Sequence, residues 1–197
     1  MTVTGAPSPI EPRTTANRIG LAPVEDLSPR MAELLDSTKG LNGERVLNIF
    51  GTLAHHPRAL RHSVALGGAF LFAGNLDQRI REIVILRVGR NTRCEYEYAQ
   101  HFVIGQNCDL TADECRAVLQ PELGASFTDF ERTVVAAVDE ICDDDCVSDA
   151  TWSALAAQWD ERELVELVML AGYYRMLAGF LNSAGVQIDD GLAGWDA

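Results

Sequence analysis

The punctuation of this chain is helical from end to end, and nothing else constrains its fold as much. Three segments, Thr111-Ala-Asp-Glu114, Thr128-Asp-Phe-Glu131 and Asp160-Glu-Arg-Glu163, place a capping side chain three residues ahead of a glutamate. That pairing satisfies backbone N–H groups that a helix start otherwise leaves orphaned. Ser28-Pro29 adds another start, a cap followed by proline at the first helical position. Behind the starts, apolar residues recur at spacings of three and four. Ile80, Ile83, Val84, Leu86 and Val88 form one set; Leu164, Leu167, Val168, Leu170 and Ala171 form another. No run alternates apolar and polar residues between hairpin turns. The expected fold class is all-α, with roughly seven to nine helices joined by short connections.

Length and charge narrow the possibilities further. A chain of 197 residues is long enough for one well-buried domain and short for two. Residues 1–22, rich in Thr and carrying Pro7, Pro9 and Pro12, read as an extended arm, either disordered or laid on another surface. The helical domain is expected over 23–191 and a short tail over 192–197. The formal charge is −13, which repels phosphate backbones and anionic lipid, so no nucleic-acid or membrane partner is expected. No apolar run reaches the length of a membrane span, because Glu166 and Arg175 interrupt the best candidate, Leu164 to Leu181. The first ten residues carry no secretory signal, and a cytoplasmic location is expected. The five cysteines, Cys94, Cys108, Cys115, Cys142 and Cys146, form no secreted framework and are expected to be reduced. Cys142 and Cys146 flank three aspartates without a second ligand pair nearby, so no metal site is expected.

A faint repeat runs through the chain. Asp77-Gln-Arg79 followed by Glu82-Ile-Val-Ile-Leu86 echoes Asp160-Glu-Arg162 followed by Glu166-Leu-Val-Met-Leu170, with one residue inserted. Either two helical hairpins are related by a pseudo-dyad, or two amphipathic helices look alike by chance.

The chemistry-bearing stretch is Arg93-Cys94-Glu95-Tyr96-Glu97-Tyr98-Ala99-Gln100-His101. On a helix, positions 94, 97 and 101 share a face. A turn near Asn91 would fold the preceding helix back so that Glu82 approaches His101. Two carboxylates, an imidazole and a thiol around one pocket suit general acid–base work. The alternative is a surface pair of Glu97 with His101 and a core Cys94. The apolar run Phe102-Val-Ile104 and the tyrosines Tyr96 and Tyr98 favour the pocket.

These residues resemble the carboxymuconolactone decarboxylase and AhpD-like family. Its redox members carry E-x11-C-x2-C-x3-H, and Glu82-x11-Cys94-x2-Glu97-x3-His101 has the same spacing. Asn48-Ile-Phe-Gly-Thr-Leu-Ala-His-His-Pro57 is similar to the family's N-x-F-x-T-L-x-x-x-P segment. Tyr174-Arg-Met-Leu-Ala-Gly-Phe-Leu-Asn182 looks like its closing helix. The resemblance implies an all-α, AhpD-like fold with two pseudo-symmetric hairpins in a single domain. It also implies a trimer or hexamer of identical chains and a small-molecule substrate. It makes Glu82 and His101 proton-relay residues and gives Cys94 the first cysteine position. Glu97 departs from the redox pattern, standing where those members have their peroxidatic thiol. A disulfide cycle needs two thiols close together, so peroxidase activity is not expected and proton transfer is. The expected reaction is a decarboxylation, isomerisation or dehydration without a cofactor. Glu82, Glu97 and His101 would be catalytic, with Cys94, Tyr98, Asn48, Phe50 and Arg87 against the substrate. A non-catalytic ligand-binding protein on the same fold is the alternative, and a thiol peroxidase using Cys94 alone is a weaker one. In the second copy of the repeat, Ala178, Leu181 and Gly185 replace Cys94, Glu97 and His101, so that half is read as scaffold.

Four further features have two readings or a structural one. Asn48 and Phe50 are either at the pocket mouth or an ordinary helix start with a core ring. Arg87 either holds a substrate carboxylate or neutralises Glu82. His55-His56-Pro57 reads as a helix junction, since adjacent helical residues point about 100° apart. Gly67-Gly68 suggests close helix packing.

Overall fold

The computed structural model describes residues 10–11, 13–23, 25, 27–39 and 45–197. Nine α-helices occur among them: α1 (Pro29–Ser37), α2 (Asn48–Leu53), α3 (Pro57–Ala73), α4 (Gln78–Thr92), α5 (Glu95–Gln106), α6 (Ala112–Ala117), α7 (Asp129–Asp144), α8 (Asp149–Ala156) and α9 (Glu161–Ala184). No strand appears among the described residues; Lys39 and Val46 form an isolated bridge. The expected starts are where the sequence puts them. Ser28 caps α1, and reciprocal boxes open α6, α7 and α9 at Thr111, Thr128 and Asp160. His56 Nδ1 accepts from the Ala59 N–H and caps α3, which accounts for the paired histidines.

Helix α4 is the axis of the fold. Every residue from Arg81 to Gly89 is buried, so α4 has no solvent face and must be surrounded. It packs against α5, α7 and α9. Val84, Ile85 and Val88 enter the main core with residues of α1, α2, α7 and α9. Ile83 and Leu86 enter a second, smaller core with Tyr98, Leu110, Cys115, Val118 and Phe127. The helix therefore separates two apolar clusters, and three of its charged residues, Arg81, Glu82 and Arg87, are buried with it.

Helix α9 is long and apolar enough to cross a membrane by length and composition, yet 56% of its most apolar 18-residue stretch is buried inside the protein. It packs closely on α3 at Gly67, where an added Cβ would come 2.7 Å from the Tyr173 hydroxyl. It ends at Gly185, whose φ of 66° is left-handed and whose missing Cβ leaves room for the Ala16 carbonyl. There the described part of the N-terminal segment lies on its own chain. Arg18 and Ile19 N–H donate to Ala184 O, and Ala22 N–H donates to Gly51 O. Residues 1–9 and 12 of the expected arm lie outside the described residues. The last residues are packed too: Trp195 stacks on Tyr98 with ring centroids 4.9 Å apart.

The repeat is visible as α4 and α9, opened by Asp77 and Asp160 and carrying Glu82 and Glu166 one turn and a half in. The two copies diverge where α4 breaks at Arg93 while α9 runs straight through the matching positions. Glu166 accepts from the Asn75 N–H (2.5 Å), the Asn75 side-chain amide (2.8 Å) and the Leu76 N–H (3.2 Å). These bonds fix the turn that launches α4. Replacing Glu166 with Ala leaves partly buried donors unmet, so Glu166→Ala should cost about 2–4 kcal/mol. Urea unfolding, with the midpoint falling at unchanged slope, is the measurement.

Candidate active site

The site is built at one hairpin. Helix α4 ends on Arg93, whose φ of 54° is left-handed, and Cys94 N–H donates back to Gly89 O at 2.8 Å. The chain reverses within two residues, and α5 runs back along α4. That reversal brings His101, on the second turn of α5, level with Glu82, near the start of α4. His101 Nδ1 lies 2.6 Å from Glu82 Oε2. Glu82 Oε1 accepts from Arg81 Nε at 2.8 Å. Arg81 also donates to Leu71 O (3.2 Å) and to Cys108 Sγ (3.3 Å).

All of this is dry: Glu82 is 0% exposed, and Glu97 and His101 are each 4% exposed. Burial alone would raise the Glu82 pKa, but the charge and hydrogen bond of His101, joined by Arg81, outweigh it and hold the carboxyl below its usual value. An ionised Glu82 can only accept, so the hydrogen between the pair sits on His101 Nδ1. The other ring nitrogen, Nε2, then faces Glu97 Oε2 across 3.8 Å, too long for a hydrogen bond. The Glu97 carboxyl has the opposite environment to Glu82. Its Oε1 is buried with no hydrogen-bond partner. Burial pushes it up to about 7 against the pull of His101, with Glu82 adding to the rise. The Tyr174 ring stands edge-on to His101 at 5.1 Å and closes that side. Two carboxyls on one histidine are thus driven apart, one kept ionised and one able to hold or release a proton near neutrality. Such a divergence marks acid–base sites.

Of the eight site residues expected, Glu82, Glu97 and His101 come together. Cys94 sits close by, but as the residue capping α5 and not on a shared helical stripe. Its thiol is fully buried, and burial raises its pKa far above the ordinary value. Tyr98 does not join the cluster. It points across α4 into the second core, where Trp195 and Phe102 cover it. Arg87 does not join it either, and it does not neutralise Glu82. Its guanidinium holds both oxygens of Asp139 at 2.6 Å and the carbonyls of Val118, Gln120 and Pro121. Asn48 opens α2 and donates to Gln187 O, while Phe50 packs on the main core, which is the ordinary reading of both. Helix α5 ends at Gln106, and the turn after it brings the Cys108 thiol back to Arg81. Arg81 and Tyr174 are the residues that sequence reasoning missed. Arg81 is adjacent to Glu82 in the chain, and only the fold shows its side chain doubling back onto that carboxylate. Among the described residues no group of three metal-ligating side chains occurs.

The architecture defines the class first: this is an AhpD-like helical fold. It is similar to the AhpD core of an uncharacterized peroxidase-related protein from Ralstonia eutropha JMP134, with TM-score 0.77 and 19% identity over 88% of this chain and 92% of that one. It is similar to another peroxidase-related protein, from Silicibacter sp. TM1040, with TM-score 0.78 and 12% identity over 91% and 95%. The debrominase Bmp8, solved as a variant in complex with 2,3,4-tribromopyrrole, matches with TM-score 0.74 and 11% identity over 87% and 91%. At these identities the likeness is one of fold. No curated protein sequence matches the chain. Residues 57–140, which hold Arg81, Glu82, Glu97 and His101, match the carboxymuconolactone decarboxylase family.

The raised Glu97 has a consequence for stability. Below the ordinary carboxyl pKa of 4.5, both folded and unfolded states hold the proton, and Glu97 contributes nothing to the balance. Between there and about 7 only the unfolded state ionises, so stability falls as pH rises and then levels off. Glu97→Gln abolishes that loss. The variant should therefore gain on the wild type by up to about 3 kcal/mol between pH 4.5 and 8. Denaturant melts of both proteins at the two pH values measure it, and equal differences at both would contradict the assignment.

Proposed function

We propose that the protein is a cofactor-independent acid–base enzyme of the carboxymuconolactone decarboxylase type. Its substrate is a small carboxylate, lactone or related natural-product intermediate. One observation carries this reading: the dry Glu97 carboxyl, with an unpartnered oxygen and a proton affinity tuned to neutrality, beside a histidine whose far nitrogen is tied to an ionised glutamate. In a decarboxylation, the bond between substrate carbon and carboxylate breaks, CO2 leaves, and its electron pair remains on the carbon chain. Protonated Glu97 delivers its proton to that carbon, and His101 Nε2 mediates reprotonation of Glu97. Glu82 stabilises the imidazolium that forms in passing, and Arg81 keeps Glu82 ionised. An isomerisation uses the same groups to remove a proton at one carbon and return it at another.

Membership of the family segment supports this class of chemistry. The thiol reading is disfavoured by Cys94, whose buried sulfur resists becoming a thiolate, the form that attacks peroxides. The cluster is closed in the single chain, to a substrate and to a non-reacting ligand alike. A small molecule reaches it only when neighbouring elements part. The reading includes a trimer or hexamer in the cytoplasm. Exposed Val165, Met169 and Met176 along α9 support a contact with another copy.

The test is incubation with 4-carboxymuconolactone in D2O, following CO2 release and deuterium uptake by NMR, and then a panel of related lactones. Where turnover is found, His101→Ala and Glu97→Gln should each lower it by at least about 100-fold with helix content unchanged. Cys94→Ala should retain most of it. Near-normal turnover in both acid–base variants would overturn the assignment. Binding with no product across the panel would favour the ligand-binding protein.

A further inference from the structure

The starts of α1 and α3 converge on a surface groove of about 750 Å3, far in sequence from the acid–base cluster. Arg30, Arg58 and Arg61 line it together with His62, and Met31 and Leu34 form an apolar floor. Among the described residues no Asp or Glu lines it, in a chain where such residues number 29 against 16 Lys and Arg. Some arginines elsewhere are neutralised, as Arg79 is by Glu114 and Glu131 and Arg87 by Asp139. Arg30, Arg58 and Arg61 make no ion pair among the described residues. Their placement also runs against helix electrostatics. Arg30 and Arg58 stand in the first turns of α1 and α3, which hold no acid. The helix dipole disfavours cations there. By contrast, α5 to α9 all carry acids in the first turn. Positive charge is concentrated where the local rules argue against it, and such breaches gather at functional sites.

A second cavity of about 330 Å3 adjoins the groove and shares Ser28, Met31 and Pro57 with it. Its own walls are Ala22, Pro23, Leu27 and Ala54, with His55 as a polar member. A cationic mouth thus opens beside an apolar chamber, and both volumes fall in the roughly 300–1,000 Å3 range of small-molecule sites. Guanidinium groups recognise carboxylate and phosphate by paired hydrogen bonds. We propose that this groove and chamber bind an amphiphilic organic anion, its carboxylate or phosphate head on Arg30, Arg58 and Arg61 and its apolar body in the chamber. The site shares no residue with the acid–base cluster, so it stands or falls independently of the proposed reaction.

Calorimetric titration of the full chain with octanoate, octanol and inorganic phosphate tests it. Octanoate should bind at least tenfold more tightly than either of the others, and its affinity should weaken with added salt. Arg58→Gln and Arg61→Gln, exposed changes compatible with folding, should together weaken octanoate at least tenfold. Ala22→Trp, which fills the chamber, should weaken octanoate and leave phosphate unchanged. His101→Ala should bind octanoate as the wild type does. Equal binding of octanol would remove the arginines from the account, and equal binding of phosphate would remove the chamber; either overturns the proposal. So would loss of octanoate binding in His101→Ala, which would place the ligand in the acid–base cluster. Co-sedimentation with phosphatidylglycerol vesicles without octanoate binding would make the groove a membrane contact and equally overturn it.

Discussion

A carboxylate with no exposure to water must find all its partners inside the protein, and the candidate site follows from how Glu82 finds its own. Losing water would cost several kcal/mol without compensation. Compensation comes from two directions. Arg81 donates from the same helix, and His101 meets the other oxygen from α5. The second contact exists only because α4 and α5 are antiparallel neighbours, and that depends on the left-handed residue Arg93 between them. Once Glu82 is saturated, His101 has one nitrogen fixed, and its other nitrogen can face only Glu97. Glu97 receives no comparable compensation, and its proton affinity rises accordingly. The asymmetry between the two glutamates is one of supply: all the available donors go to one of them.

Much of this was legible in the sequence, for reasons that can be named. The capping boxes at Thr111, Thr128 and Asp160 encode local geometry, and local geometry survives folding unaltered. The cluster of Glu82, Glu97 and His101 was legible because a helical hairpin converts sequence spacing into distance with little freedom. What failed was inference about direction across the helix pair. Tyr98 is one residue from Glu97, yet that step turns it about 100° around α5 and into the second core. Arg87 is five residues from Glu82, which turns it away from that carboxylate and towards Asp139 on α7. Neither the smaller core nor the position of α7 has any local signature. The reach of Arg81 was hidden for a similar reason, since a neighbour in sequence is ordinarily not a neighbour on a helix face.

The two halves of the repeat show why only one of them has kept a polar cluster. Glu82 and Glu166 occupy matching places after matching caps, and both are buried. Glu166 accepts from the backbone of Asn75 and Leu76, so its charge is satisfied by a turn and no histidine is required. Its helix need not break to bring one close, and α9 continues straight where α4 reverses. The turn that Glu166 holds is the one that launches α4; Asn75 lies two residues before its cap and seven before Glu82. The half without the histidine thus sets the start of the helix on which the other half depends. A buried glutamate that holds a turn in one copy holds a histidine in the other.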